Sequence, residues 1–300
     1  MTPADWIAVD WGTSNLRAWA MRADGQVLES ADSSDGMGHL GRDQFEPALL
    51  KLVDPWLGPG TTRVVACGMV GSRQGWAEAP YRATPGPATA DRLIKASSTD
   101  PRLDVRLIPG VKQDSPADVM RGEETQIAGY LHENNDFDGV LCLPGTHSKW
   151  VRISAREIVG FRTFLTGELF ALLAKSSVLR HSVAAQGWDD AAFAAATAEA
   201  MSKPEALAAR LFALRAEALL HGQKPETARA ILSGLLIGAE LAAARPYWLG
   251  MPVTLIGAPA LTGVYAAALA AQGLAPTRAD GSQMTRAGLI AAHASLREPT

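Results

Sequence analysis

Acidic and small polar residues near the start of the chain form a pattern that could bind a phosphate group. Asp10 follows a short apolar run, Ile7 to Val9, and precedes the sequence Gly12-Thr13-Ser14-Asn15 and an alternating segment from Leu16 to Met21. This order predicts a strand, a tight turn and a second strand. Such a turn can present N–H groups and hydroxyls to phosphate oxygens, with the carboxylate placed to bind a Mg²⁺ held by those phosphates. An ordinary hairpin, in which the acid and the threonine satisfy the turn, explains the same residues.

A second copy of this pattern lies in the middle of the chain and favours the phosphate interpretation. The segment from Asp138 to Ser154 again predicts an apolar strand, a Gly145-Thr146-His147 turn and an alternating strand. A third predicted strand follows each copy, at Val27 to Ser30 and at Ile158 to Thr163. Two copies of one unit, each followed by alternating helices and strands, predict two similar α/β domains that face each other, with one phosphate-binding turn each.

Two further segments carry side chains that could act on a substrate. Met69 to Pro87 is a long loop with arginine and aromatic side chains, which predicts a wall of the substrate site; a solvated surface loop is the alternative. Asp118 to Gln126 holds acids at the predicted start of a helix that ends near His132, just before the second turn. Carboxylates gain there from the positive end of the helix dipole. Helix capping and a base that projects into the site both explain these acids.

Gly36 to Gly41 matches the glycine spacing of a dinucleotide-binding loop, but its position argues against that function. Those glycines belong after the first strand of a βαβ unit, with an acid at the end of the next strand. Here they follow a predicted hairpin strand, and the next strand, Arg63 to Cys67, ends in Cys-Gly. We therefore predict a glycine-rich loop at the border of the substrate site. No Walker A sequence occurs in the chain.

The rest of the chain predicts mainly helices and one further nucleotide contact. Strand Pro252 to Ile256 runs into a Gly257-Ala258 turn, where the ring and ribose of a nucleotide could lie. Ser233-Gly234 in an apolar helix could admit a flat ring, although helix packing explains these small residues equally well. Helices are also predicted over Thr89 to Ala96, after Thr166 as N-cap, and through residues 184–246 with starts at Asp189, Lys203-Pro204 and Lys224-Pro225.

Composition limits the class of protein. Three hundred residues suit two domains. The 28 basic and 31 acidic residues give a net charge of −3, without the basic surface that nucleic-acid binding requires. Cys67 and Cys142 lie in apolar runs without metal-ligand spacing, which predicts buried thiols in a reducing compartment. A patterned strand begins at Trp6, and the most apolar helix, Ala230 to Ala239, is too short to span a bilayer. We expect a cytoplasmic protein that acts on a small molecule.

The chain contains, in this order, the segments DWGTSNLRAW, ACGMVGSRQGW, APY, VMRGEETQ, PGTHSKWV, FRTFLTGEL and LSGLLIGAEL. These seven segments resemble, in the same order, those of the 2-dehydro-3-deoxygalactonokinase family. At the superfamily level, DWGTSNLR, LPGTHSKW and LIGAPALTG resemble the two phosphate motifs and the adenosine motif of sugar kinases, heat-shock chaperones and actin. The resemblance implies an actin-like ATPase fold with two ribonuclease-H-like α/β domains around a central cleft. We place these domains at residues 1–136 and 137–300, with the last helix packing back on the first domain.

The resemblance also implies a reaction and the residues that carry it out. The reaction is ATP- and Mg²⁺-dependent phosphorylation of the C6 hydroxyl of 2-dehydro-3-deoxygalactonate. The general base would be Glu123, which follows Gly122, with Glu124 and Asp118 as alternatives. Because a guanidinium matches a carboxylate bidentately, one of several arginines is expected to bind the acid group. The expected residues are Asp10 for Mg²⁺, directly or through water; Gly12, Thr13, Ser14, Asn15, Arg17, Gly145, Thr146, His147, Ser148, Lys149, Ser233, Gly234, Gly257 and Ala258 for ATP; and Gly38, Met69, Arg73, Trp76, Arg82, Arg121, Arg162 and Glu168 for the substrate.

Two other functions stay open on the sequence. One is a kinase of another sugar or sugar acid on the same fold. The other is a non-kinase actin-like ATPase that closes on a protein partner. Such an ATPase is expected to need an appended partner-binding domain, for which 300 residues leave no room. The sequence leaves the oligomeric state, including a homodimer, and the stereochemical preference open.

Overall fold

The computed structural model describes residues 3–296, and the chain divides into two compact units. Unit 1 comprises the chain up to Asp138, the segment Ile153–Gly160 and the segment from Gly281 onward. Unit 2 comprises Gly139–Arg152 and Phe161–Asp280. A division into two folding domains between residues 136 and 137 stays a prediction, because compactness alone does not show that a segment folds independently.

Strands dominate the first part of unit 1. In chain order the elements are β1 Trp6–Trp11, β2 Leu16–Met21, β3 Val27–Ser33, α1 Phe45–Val53, β4 Thr62–Gly68, β5 Arg82–Ala83, β6 Gly86–Pro87, β7 Ile94–Lys95, β8 Leu103–Leu107, β9 Val111–Asp114, β10 Ala117–Met120 and α2 Glu123–Glu133. They form a mixed six-stranded sheet of order β3-β2-β1-β4-β8-β7 and a smaller sheet of order β10-β9-β5. β1 pairs antiparallel with β2 and parallel with β4, which pairs parallel with β8.

Unit 2 repeats this architecture. Its elements are β11 Gly139–Leu143, β12 Ser148–Ser154, β13 Glu157–Phe164, α3 Thr166–Ser176, α4 Asp190–Ser202, α5 Leu207–His221, α6 Pro225–Ala243, α7 Arg245–Trp248, β14 Val253–Gly257, α8 Pro259–Ala270 and β15 Thr277–Asp280. The order β15-β14-β11-β12-β13 matches β8-β4-β1-β2-β3 strand for strand, and β14 pairs parallel with both β11 and β15. The hairpin of β12 and β13 is divided between the units. Its tip, Ile153–Gly160, belongs to unit 1, where the first residues of β13 pair with β6. The duplicated α/β fold predicted from the sequence is thus confirmed.

The last helix, α9 Gly281–Ser295, belongs to unit 1 and packs on α2. Two glycines allow this close packing, because a Cβ on Gly129 would lie closer than 3.0 Å to the carbonyl oxygen of Met284 and a Cβ on Gly288 would lie as close to that of Thr125. The indole of Trp6 stacks on His293 with ring centroids 4.1 Å apart. α9 therefore covers one face of the sheet of unit 1.

The two faces of β1 are both buried, as expected for a strand whose sheet is covered by helices on each side. Ile7 and Val9 belong to the apolar cluster that includes Phe45 of α1. Trp6 and Ala8 belong to the cluster that includes Leu289 of α9. This burial explains why β1 is a continuous apolar run rather than an alternating one.

The helix predicted over Thr89 to Ala96 is wrong. Arg82 donates its guanidinium N–H groups to the carbonyl oxygens of Pro87, Ala88 and Thr89, and the last two would be the first acceptors of a helix that began at Thr89. Ile94 and Lys95 instead form the edge strand β7, which pairs antiparallel with β8. Hydrogen bonds from the Arg82 side chain, five to seven residues upstream, have thus overridden the helical preference of this segment.

Helix starts in unit 2 follow the sequence signals with one exception. The carboxylate of Asp189 accepts the N–H of Ala192 and caps α4, and Lys224 precedes Pro225 at the first position of α6. Thr166 is not the N-cap of α3, because Leu165 occupies that position and the Thr166 hydroxyl donates to Glu240. Within residues 3–296, none of the helices has both the length and the apolar composition that crossing a bilayer requires.

Candidate active site

Asp10 lies near the end of β1, beside Arg17 of β2 and Cys67 of β4 in the backbone register. Its Oδ2 is 3.0 Å from Arg17 Nη2, and the Cys67 thiol donates to its Oδ1 at 3.9 Å. Burial raises the pKa of Asp10, while the charge of Arg17 and the thiol contact oppose that shift. Arg17 Nη1 also donates to Ser282 Oγ at 3.0 Å, at the start of α9. The structure therefore holds the carboxylate at the carboxyl edge of the sheet with a cation beside it.

The first predicted phosphate-binding turn, Gly12 to Asn15 (the first phosphate turn), follows directly after β1. The N–H of Gly12 donates to the carbonyl of Asn15 at 2.9 Å and closes the turn, whose polar side chains are exposed. The glycine-rich loop packs behind it: the N–H of Gly38 donates to the carbonyl of Thr13 at 2.8 Å, and a Cβ on Gly36 would collide with the turn backbone. Gly38 was predicted to contact the substrate. In the structure it contacts the first phosphate turn.

Glu123 begins α2 at the same edge of the unit 1 sheet. Gly122 adopts a positive φ of 109° before the helix, and a Cβ built on it would lie 3.5 Å from the Cα of Gly68, the last residue of β4. A carboxylate oxygen of Glu123 accepts the N–H of Arg121 at 3.1 Å. Because β4 is the parallel neighbour of β1, the start of α2 brings Glu123 to the strand next to the one that carries Asp10.

Glu124 differs from Glu123 in being completely buried. Its carboxylate accepts the N–H of Gly122 at 2.6 Å and the hydroxyl of Thr125 at 3.0 Å. Burial, followed by the negative charge of Glu123, raises the pKa of Glu124 to about 7. Burial and the carboxylates of Asp10 and Glu124 also raise the pKa of the Cys67 thiol. The third alternative base, Asp118, lies in strand β10 rather than in the first turns of the helix.

The four candidate arginines occupy different environments. Three backbone carbonyls accept hydrogen bonds from the two Nη atoms of Arg82, its Nε is buried without a partner among the described residues, and burial lowers its pKa. Arg73 is largely exposed and lies 3.6 Å from a carboxylate oxygen of Glu78. Arg162 is exposed on β13. These contacts give Arg82 a structural role and leave Arg73 and Arg162 in solvent.

Arg121 has a guanidinium that is only partly paired. Its Nη2 donates to the carbonyl of Ala79 at 2.9 Å, and its Cζ lies 4.3 Å from the centre of the Tyr81 ring. Its Nε and Nη1 are buried and have no hydrogen-bond partner among residues 3–296. A Cβ on Gly71 would lie 3.0 Å from Nη1. The loop that precedes β5 therefore encloses a cation whose bonding capacity is not filled.

Trp76 and Met69, both predicted to contact the substrate, lie in this same loop. The indole of Trp76 donates to the carbonyl of Ser97 at 3.0 Å and lies against Phe45 and Trp11, with ring centroids 6.3 and 6.2 Å apart. Met69 is half-buried in a short 3₁₀ turn after β4. The contacts of Trp76 anchor the loop to the core of unit 1.

The second predicted phosphate-binding turn, Gly145 to Ser148 (the second phosphate turn), lies in unit 2 and packs on the start of α3. The N–H of Glu168 donates to the carbonyl of Thr146 at 2.9 Å, and a Cβ on Gly167 would collide with the carbonyl oxygen of Gly145. His147 Nε2 lies 2.5 Å from a carboxylate oxygen of Glu168. Thr146 and His147 are exposed, whereas Ser148 and Lys149, which begin β12, are buried. Glu168, predicted for the substrate, thus contacts the phosphate turn.

An apolar cavity of about 360 Å³ adjoins the second phosphate turn. Ser233, predicted to contact ATP, lines it, whereas Gly234 faces α4, where a Cβ would lie 2.6 Å from the carbonyl oxygen of Phe193. Gly257 packs near Pro144, and Ala258 is the N-cap of α8. The lining residues are Gly145, Thr166, Gly167, Phe170, Trp188, Arg229, Ser233, Leu236, Ile237, Ala260, Leu261, Val264 and Tyr265.

Most of these lining residues were not predicted from the sequence. Phe170, Trp188 and Tyr265 are aromatic residues that come from α3, the segment before α4 and α8. No local motif distinguishes them from ordinary core residues, because only the tertiary structure brings them to one surface. The helical spacing of apolar residues in α3 and α8 is the signal that the sequence offers for Phe170 and Tyr265, whereas Trp188 lies outside these helices.

The residues at Asp10 fit a Mg²⁺ that arrives with phosphates. Among residues 3–296 no three His, Cys, Asp or Glu side chains are grouped as a ready-made cation site. Mg²⁺ is usually bound by one or two carboxylates together with substrate phosphates and waters. A single carboxylate next to a phosphate-type turn has the oxygen chemistry that this mode of binding needs.

Comparisons with known proteins identify close relatives. The family model for 2-keto-3-deoxy-galactonokinase matches residues 10–292. A protein of Rhizobium meliloti strain 1021, named Probable 2-dehydro-3-deoxygalactonokinase DgoK1, is 40% identical over 97% of each chain. The 2-dehydro-3-deoxygalactonokinase of Escherichia coli K12 is 36% identical over 95% of this chain and 96% of its own. A crystal structure from Sinorhizobium meliloti, titled as a 2-dehydro-3-deoxygalactonokinase protein, is 39% identical with a TM-score of 0.91, covering 98% of this chain and 100% of that one.

A more distant structure shows the fold class. The activator of 2-hydroxyisocaproyl-CoA dehydratase from Clostridium difficile, solved with bound ADPNP, has a TM-score of 0.50 at 11% identity and covers 98% of each chain. Likeness at this level of identity shows the fold alone. It confirms the α/β, actin-like fold expected from the sequence.

Proposed function

Because the chain belongs to the 2-keto-3-deoxy-galactonokinase family and is a kinase of galactonate catabolism, we propose that it transfers the γ-phosphoryl group of ATP to the C6 hydroxyl of 2-dehydro-3-deoxy-D-galactonate. The observation that carries this proposal is the set of groups at one edge of the unit 1 sheet. Asp10 and the turn from Gly12 to Asn15 lie at the end of β1, and the start of α2 with Glu123 packs against the end of the adjacent strand β4. That edge combines a carboxylate for a cation, a turn for phosphate oxygens and an acid for a hydroxyl proton.

We place the nucleotide in unit 2. The apolar cavity suits a purine ring, and Gly145 of the second phosphate turn lines its edge. The turn from Gly145 to Ser148 would then bind phosphate oxygens, and the buried Lys149 would offset their charge. The ADPNP bound to a protein of the same fold supports ATP as the donor. A small cytoplasmic sugar acid is the proposed acceptor.

Phosphoryl transfer asks the protein mainly for positioning and charge stabilisation. We assign Glu123 as the base that accepts the proton of the C6 hydroxyl. The hydroxyl oxygen attacks the γ-phosphorus of ATP, and ADP is the leaving group. Asp10 would hold Mg²⁺, which when bound neutralises phosphate charge. Arg17, now paired with Asp10, would be released toward the phosphates when the carboxylate takes a cation partner.

The test compares two acids that adjoin in the chain. ADP formation that depends on the keto acid is measured for the wild type, Glu123→Gln and Glu124→Gln. We expect Glu123→Gln to lower kcat by about 10² to 10⁴-fold, the usual contribution of a general base, with a smaller change in KM. Glu124→Gln is the matched control and should keep most of the activity, because its carboxylate is enclosed by Gly122 and Thr125.

Three outcomes would contradict the proposal. A loss of kcat confined to Glu124→Gln would move the base to the buried acid. ADP formation that no sugar acid stimulates would favour a non-kinase ATPase. Equal or better turnover with another sugar or sugar acid in the same panel would favour a kinase of different specificity.

A further inference from the structure

Glu240 is a buried acid in the interior of α6, behind the apolar cavity. Only 3% of its surface is exposed. Its carboxylate accepts the indole N–H of Trp150 at 2.7 Å, the hydroxyl of Tyr265 at 2.8 Å and the hydroxyl of Thr166. These three donors lie 25 to 90 residues away along the chain. One carboxylate thus ties three separate elements of unit 2 to α6.

Each of these elements builds part of the proposed nucleotide site. Trp150 lies on β12, the strand that leaves the second phosphate turn, and Ser148 at the start of that strand shares a 2.9 Å hydrogen bond with Tyr265. Thr166 begins α3, whose next residue packs on Gly145 of the turn. Tyr265 and Thr166 themselves line the cavity. The carboxylate therefore connects the phosphate turn to the wall on which a purine would lie.

We propose that Glu240 is a positioning residue that fixes the second phosphate turn relative to the apolar cavity, so that one nucleotide can fill both. This inference rests on the proposed function, because it assumes that a nucleotide binds there. A buried polar network with all members bonded is rigid, and the loss of one member leaves the others without partners. Glu240 does not itself line the cavity, so it would act through its hydrogen-bond partners Trp150, Thr166 and Tyr265.

This role predicts a difference between two ligands. ADP must contact the cavity and the turn at once, so it depends on their relative position. Adenosine would occupy only the cavity, so its binding would not depend on that relative position. We expect Glu240→Gln, which keeps the side-chain volume, to weaken ADP binding by about tenfold, the loss expected for one hydrogen bond to a charged group, and to change adenosine binding much less.

The experiment measures dissociation constants of ADP with Mg²⁺ and of adenosine by calorimetry, together with the thermal unfolding temperature. Tyr265→Phe removes one hydroxyl from the network and keeps the ring in the cavity, so it should weaken ADP binding in the same selective way. It also decides the question if Glu240→Gln does not fold. Glu217→Gln is the matched control, because that acid lies on the surface of α5 and pairs with His221.

The results that would overturn the inference are distinct. Folded Glu240→Gln and Tyr265→Phe proteins with wild-type affinity for ADP would exclude a positioning role. Equal losses of ADP and adenosine affinity with a lower unfolding temperature would reduce Glu240 to a structural residue. A wild-type chain that binds no ADP at all would overturn the proposed function, and this inference with it.

Discussion

We propose that Arg121, of the four candidate arginines, binds the carboxylate of the keto acid. Its Nε and Nη1 are buried without acceptors among the described residues, while Nη2 is held by Ala79. A buried cation without an anion is costly unless a partner arrives, and a carboxylate fits a guanidinium in a bidentate way. Because Gly71 and Tyr81 pack on this guanidinium, we expect the loop that carries them to move when the acid binds.

We predict that Arg121→Ala raises KM for the keto acid by the equivalent of about 2 to 5 kcal/mol and hardly changes KM for ATP, since it removes one partner of a desolvated ion pair. Steady-state kinetics with each substrate varied in turn measure this. Arg73→Ala is the control, because that side chain is exposed and should change neither constant. Wild-type KM for the acid in the Arg121→Ala protein would leave the carboxylate to backbone N–H groups or to Arg162.

At the scale of elements, the pairing of α2 with α9 holds the start of α2 in place. Gly288 of α9 packs on the backbone of Thr125, which is one residue beyond Glu124 and two beyond Glu123. We predict that Gly288→Ala forces the helices apart. It should lower the free energy of unfolding by about 1 to 3 kcal/mol, as overpacking usually does, and lower kcat because it shifts Glu123, the proposed base.

Urea unfolding and kcat measured on the same preparation check this prediction. Gly60→Ala is the matched control, because no atom lies within 4 Å of the position that its Cβ would take. It should leave both quantities unchanged. A Gly288→Ala protein as stable and as active as the wild type would show that α9 can shift without disturbing the first turn of α2.

Local patterns predicted the elements whose folding is decided locally. The strands around both phosphate turns, the cap at Asp189 and the start of α6 at Pro225 follow from apolar runs and capping residues. The helix expected over Thr89 to Ala96 is absent because Arg82 donates hydrogen bonds to the carbonyls at its predicted start, those of Pro87, Ala88 and Thr89. Thr166 is a residue type that favours the N-cap position, but its hydroxyl donates to Glu240, 74 residues away.

The candidate site divides along the same line. Asp10 and Glu123 stand in short contiguous motifs that the sequence shows directly. Four arginines, by contrast, were equal in sequence, and only their contacts separate Arg121 from the others. The cavity of unit 2 and the role of Glu240 depend on residues drawn from several helices and strands, so no single segment could reveal them.

At the scale of the whole molecule, buried acids give stability an unusual dependence on pH. Burial raises the pKa of Asp10 and Glu124 in unit 1 and of Glu240 in unit 2. An acid whose pKa is raised by folding binds its proton more tightly in the folded state, so stability falls as the pH rises through the window between the two pKa values. Acids with lowered pKa, such as Glu46 and Asp100, act in the opposite direction, but below their ordinary values of 4.5 and 3.8.

Glu124 has the best-defined window, from 4.5 in the unfolded chain to about 7 in the folded protein. At about 1.4 kcal/mol per pKa unit, its ionisation removes about 3 kcal/mol of stability across that window. We predict that the ligand-free protein unfolds at a higher urea concentration near pH 5 than near pH 8. Glu124→Gln does not titrate and should lose about 3 kcal/mol of that difference, whereas the exposed Glu205→Gln control should follow the wild type. Parallel pH profiles for the wild type and Glu124→Gln would mean that the Glu124 carboxyl stays ionised in the fold, held by the N–H of Gly122 and the hydroxyl of Thr125.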